Sequence, residues 1–100
     1  MVVAYPTIEQ QVRETLVQFL RTIPVRKRLW ARADPGIVRF WLETEPISDE
    51  QEEHLYHANR LIYEHVPGAR FDFIVMNPAI FDDPACAFTP PHGAEEIALG

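Results

Sequence analysis

From Ile8 to Ile23 the apolar residues recur as Ile8, Val12, Leu16, Phe19, Leu20 and Ile23, and the positions between them are mostly polar. Steps of three and four place these residues in one stripe along an α-helix. Thr7 can cap that helix, and Gln10 three residues on completes the spacing of a capping box, with Pro6 just outside. Pro24 disfavours helical geometry in the residue before it, so the predicted helix covers about 7–22.

The period then falls to two. Val25, Leu29 and Ala31 alternate with Arg26, Arg28, Trp30 and Arg32, which predicts a strand, with Lys27 near its end. Ala33-Asp34-Pro35-Gly36 reads as a turn. Ile37 to Thr44 forms the returning strand, with Val38, Phe40 and Leu42 on one face and Ile37, Arg39, Trp41 and Glu43 on the other. If Arg32 stands opposite Ile37, then Trp30 faces Arg39, Arg28 faces Trp41 and Arg26 faces Glu43. That register predicts two arginine–tryptophan pairs and one salt bridge on a single face.

Pro46 closes this strand and Ser48 opens a second helix. Gln51 stands at the capping-box position, and Asp49, Glu50, Glu52 and Glu53 crowd a first turn whose dipole favours negative charge. Leu55, Ala58, Ile62 and Val66 form its apolar stripe, with Leu61 on the flank, and Pro67-Gly68 stops it. Phe71, Phe73 and Val75 alternate with Asp72, Ile74 and Met76 in a third strand ending at Asn77-Pro78.

The order helix, strand, strand, helix, strand predicts an α+β fold. It is a small two-layer αββαβ domain over residues 1–78, with a three-stranded mixed sheet and both helices on one face. The second helix connects two strands as a βαβ unit, which makes those strands parallel. Residues 77–100 contain Pro78, Pro84, Pro90, Pro91 and two glycines. Residues 79–100 therefore read as an irregular tail, partly packed on the domain through Ile80, Phe81 and Phe88, with a short helical turn expected over 94–99.

Composition adds limits. One hundred residues make one domain, and 47% hydrophobic with 24% charged residues is ordinary globular usage. No apolar run approaches the roughly 18–20 residues that span a bilayer, and residues 1–10 carry no secretory pattern. The single cysteine, Cys86, cannot form an internal disulfide, so a cytoplasmic setting is expected. The net charge of −6 argues against nucleic-acid binding by bulk charge. That charge is uneven. Residues 1–40 hold seven Arg and Lys against three acids, and residues 41–100 hold two against twelve. Packing of the two halves against each other accounts for this, as does a basic site on an acidic protein.

Helices on one side leave the other side of the sheet open. It would carry Arg26, Arg28, Trp30, Arg32, Ile37, Arg39, Trp41, Glu43, Asp72, Ile74 and Met76. Tryptophan and arginine dominate binding energy at interfaces, and an exposed patch with this much apolar surface marks one. The expected site is Arg26, Arg28, Trp30, Arg32, Arg39, Trp41, Ile74 and Met76. The expected role is non-catalytic self-association as a homodimer, by stacking open faces or pairing strands at an edge, or docking of a protein partner. The alternative is a small nucleic-acid-binding or regulatory module on the same basic and aromatic face. A plain structural account also exists, in which the tail folds over the face with Phe81 or Phe88 as a plug.

Catalytic and cofactor signals are thin. His54, His57 and His65 fall on the second helix, and His54 with His57 is the weak metal candidate, giving a third reading as a metal-dependent enzyme with Glu53 and Asp82-Asp83. The spacing is not the i, i+4 pair of HExxH, and His54 and His65 lie about 16 Å apart along the axis. Water-facing histidines and a charged loop explain the same residues. Ser48, the one serine, is used as a cap, Cys86 has no basic neighbour in sequence, and no glycine-rich phosphate loop occurs. No catalytic residue and no cofactor is expected. Tyr56 and Tyr63, seven apart and opposite the apolar stripe, form a candidate second contact surface.

Overall fold

The computed structural model describes residues 7–80 and 88–99. Helix α1 covers Ile8–Arg21 and α2 covers Asp49–His65. Both open with the expected capping box. The Thr7 hydroxyl accepts from the Gln10 N–H while the Gln10 side chain accepts from the Thr7 N–H, and Ser48 and Gln51 do the same for α2. Strands β1 (Lys27–Asp34), β2 (Ile37–Thr44) and β3 (Phe71–Met76) follow the predicted alternation, and a short β4 (Glu95–Ile97) joins them. The sheet order is β3-β2-β1-β4, with β2 parallel to β3 and the other neighbours antiparallel.

The two-layer α+β class is as expected, but the sheet has four strands rather than three. The extra strand comes from the tail, where a helical turn was expected over 94–99. Alternation explains it. Ile97 pairs opposite Leu29 and is buried in the core, while Glu96 turns to the other face. On the helix side, Arg13 of α1 donates to Glu95 at 3.1 Å, and Arg21 Nε donates to the Leu99 carbonyl at 3.1 Å.

The hairpin register also differs. Asp34 pairs with Ile37 across Pro35-Gly36, so Arg32 meets Arg39, Trp30 meets Trp41 and Arg28 meets Glu43. The loop is two residues long, shorter by two than the expected turn. Proline fixes a negative φ and Gly36 takes φ 76°, the sequence of signs in a type II turn. A shift of two residues keeps every side chain on its expected face but changes its cross-strand partner.

Central strand β2 buries Phe40 and Leu42 completely, and they meet Leu16 and Leu20 of α1, Leu55 and Ile62 of α2, Leu29 of β1 and Phe73 of β3 in one cluster. Lys27, on the helix side at the start of β1, donates through Nζ to the Ile23 and Val25 carbonyls at 2.6 and 2.9 Å. Burial holds its pKa below the ordinary lysine value.

Asn77 fastens the end of β3 to the start of α2. It is 1% exposed, its Oδ1 accepts from the Ile47 and Ala79 N–H groups, and its Nδ2 donates to the Ile47 carbonyl. Asn77→Ala leaves the main chain of buried Ile47 without partners. We expect a loss of about 2–3 kcal/mol of stability, measured by denaturant unfolding.

Candidate functional site

β-Alternation and the observed register build the open face in rows. The middle row runs Glu96, Trp30, Trp41, Ile74 from β4 to β3. On one side stand Arg28, Glu43 and Met76, and on the other Arg32, Arg39 and Asp72, with Asp34 and Ile37 beyond them at the turn. Both tryptophans are half-buried, and Ile74 is 42% exposed. The face is an apolar band crossing the sheet between two charged margins.

The margins are internally paired. Arg28 grips Glu96 with two donors at 2.6 and 3.1 Å. Arg32 grips Asp34 in the same way at 3.0 and 3.1 Å and donates once more to the His92 carbonyl. Arg39 bridges Asp34 at 2.9 Å and Asp72 at 2.7 Å. The Arg28 guanidinium lies 5.1 Å from the centre of the Trp30 ring, and that of Arg32 lies 5.4 Å from Trp41. Each such contact stabilises by roughly 0.5–1 kcal/mol when exposed.

The structure therefore corrects the expected pairs. Arg28 covers Trp30 of its own strand rather than Trp41, and Arg32 takes Trp41. Arg39 faces carboxylates rather than Trp30. Arg26 precedes β1, and its N–H donates to the Glu45 carboxylate at 3.3 Å in place of a bridge to Glu43. Asp34 and Glu96 are the members that sequence reasoning missed. Asp34 falls within the turn that the sequence predicts at 33–36, whereas in the structure it continues the even-numbered face of β1. Glu96 joins the face only because the tail adds a strand.

The tail reaches this face from the edge. Glu96 sits beside Trp30 in the plane of the sheet, and His92 and Gly93 meet Arg32. Phe88 is half-buried. Phe81, Asp82, Asp83 and Cys86 lie outside the described residues.

Tyr56 and Tyr63 lie over β3 rather than away from the sheet. Val75 N–H donates to the Tyr56 hydroxyl at 3.0 Å, and the Tyr56 ring lies 5.9 Å from that of Phe73. Tyr63, 57% exposed, packs 4.9 Å from the Phe71 ring. The His54 and His57 rings are 5.6 Å apart, with Phe19 6.1 Å from His54. They border a cleft of about 480 Å³ with Ile23, Pro24, Val25, Glu50, Gln51 and Glu53. Among the described residues no group of three or more His, Cys, Asp and Glu side chains is placed to hold a metal ion, and no helix is long and apolar enough to cross a membrane. Comparison of the chain with protein-family models, with curated proteins and with solved structures finds no match.

The hydrogen bond from Arg28 holds the Glu96 carboxyl below its ordinary pKa, and that from Arg32 does the same for Asp34. A depressed folded-state value lends stability above the ordinary carboxylate pKa, and this is lost as the pH falls through and below about 4. Glu96→Gln should flatten the acid limb of a plot of Tm against pH. High salt should do so too, because these pairs are open to solvent.

Proposed function

We propose that the chain is a non-catalytic association module that self-associates through the open face of its sheet. The observation that carries this reading is the row Trp30, Trp41, Ile74, an uninterrupted apolar band on the face that helices do not cover. Covering it removes apolar surface from water, which stabilises by roughly 25 cal/mol per Å². A 100-residue domain has limited core of its own and gains from such burial.

The charged margins favour a protein surface over a phosphate backbone. Arg28, Arg32 and Arg39 already spend their donors on Glu96, Asp34 and Asp72. A phosphate would have to displace those carboxylates, and Glu43 adds further negative charge. A second copy turned about an axis along the band sets Arg39 over Glu43 of that copy, so opposite charges meet there. The single Cys86 accords with a reducing, cytoplasmic setting for this association.

Replacing Trp30→Ser together with Trp41→Ser should halve the solution mass measured by light scattering, at low and high salt alike, while the helical circular-dichroism signal stays. An unchanged mass removes the reading. Single-stranded RNA binding that weakens steeply with salt and with Arg28→Ala would favour the nucleic-acid alternative.

A further inference from the structure

Among the described residues β3 is an edge strand of the sheet, and its main chain has a definite polarity. Val38 N–H donates to the Arg70 carbonyl at 3.3 Å. In the parallel ladder this turns the main-chain groups of Asp72, Ile74 and Met76 toward β2, and those of Phe71, Phe73 and Val75 outward. The Tyr56 hydroxyl takes the outward Val75 N–H. Proteins usually blunt such an edge with lysine, proline or a bulge. Here the six residues pair with β2 without interruption, and Asp72, the one charged side chain, is tied to Arg39.

We infer that the β3 edge pairs antiparallel with β3 of a second copy, about a two-fold axis at Ile74. This centre satisfies three requirements together. Outward residues meet outward residues, with Phe73 opposite Val75 of the second copy and Val75 opposite its Phe73. Those two pairs exchange four main-chain hydrogen bonds, a carbonyl replacing the Tyr56 hydroxyl at Val75. Asp72 falls opposite Met76 of the second copy, so no like charges stand opposite each other. Ile74, the most exposed large apolar side chain of the sheet, packs on its own copy at the close, non-hydrogen-bonded position.

The same axis aligns the two apolar bands. Trp30, Trp41 and Ile74 continue into Ile74, Trp41 and Trp30 of the second copy, one apolar row crossing six strands. An axis at Phe73 would instead set Ile74 against Asp72 of the second copy and break the row. The pairing stands on main-chain groups and Ile74, so it does not depend on face stacking through the tryptophans.

The test uses the full chain carrying Trp30→Ser and Trp41→Ser, which removes face stacking. Its mass by light scattering should be that of two chains. Adding Ile74→Lys or Ile74→Asp should give one chain in each case, because like charges then meet on the axis. An equimolar mixture of the lysine and aspartate forms should return to two chains. A monomeric parent, a charged form that stays dimeric, or a mixture that stays monomeric would each overturn the inference. Circular dichroism on every form checks the fold. The same three Ile74 samples on the chain with both tryptophans intact should show the mass fall with each charge and recover on mixing, so a folding defect of the serine forms cannot decide the result. Failure of face stacking reads out separately, as no change of mass on tryptophan replacement.

Discussion

A sheet covered by helices on one side only must satisfy two environments with alternate residues of the same strand. β2 bears this constraint most strongly, because β1 and β3 flank it along nearly its whole length, whereas β4 reaches only Leu29 to Ala31 of β1. Phe40 and Leu42 are fully buried under α1 and α2, and Trp41 between them faces away. The strand pairings, the helix caps and the Asn77 clasp all serve to keep that alternation in register. A slip of one residue in β2 would bring Arg39, Trp41 and Glu43 under the helices.

The open face answers the same constraint by different means. It is not made polar throughout. Tryptophans occupy its centre, and arginines lie over them while turning their charge toward carboxylates. A guanidinium suits this position because its flat surface covers a ring while its edge donates to an acid. The result is a surface with little unsatisfied charge and much area that water covers poorly.

Much of the fold was legible from periodicity alone. The two helices, their caps, three strands, the parallel βαβ pairing and the side on which the residues of β2, β3 and β1 up to Arg32 lie all follow from spacings of two and of three to four. The hairpin register was not legible, because the four-residue turn expected at 33–36 and the two-residue loop that occurs keep the same facing and differ only in who pairs with whom. Nor was β4, since three residues, Glu95-Glu96-Ile97, carry too little alternation to declare a strand without the edge of β1 to receive them. Loss of β4 from the reading hid Glu96 and so the partner of Arg28. The tyrosines misled for another reason. Helical geometry sets them off the buried stripe, but α2 lies close enough to the sheet edge for Tyr56 and Tyr63 to rest on β3.

Both tryptophans of the chain are on the open face, and none lies in the core between helices and sheet. Each has an arginine over its ring and a neighbour of the same kind across the strand pair. The tryptophan fluorescence of the protein, excited at the red edge where tyrosine does not absorb, is therefore a property of one surface. Its emission maximum and its quenching by small solutes follow what covers that surface, while the packing of Phe40, Leu42 and Phe73 stays optically silent at the same wavelength. Light from this molecule distinguishes a covered face from a bare one without any label.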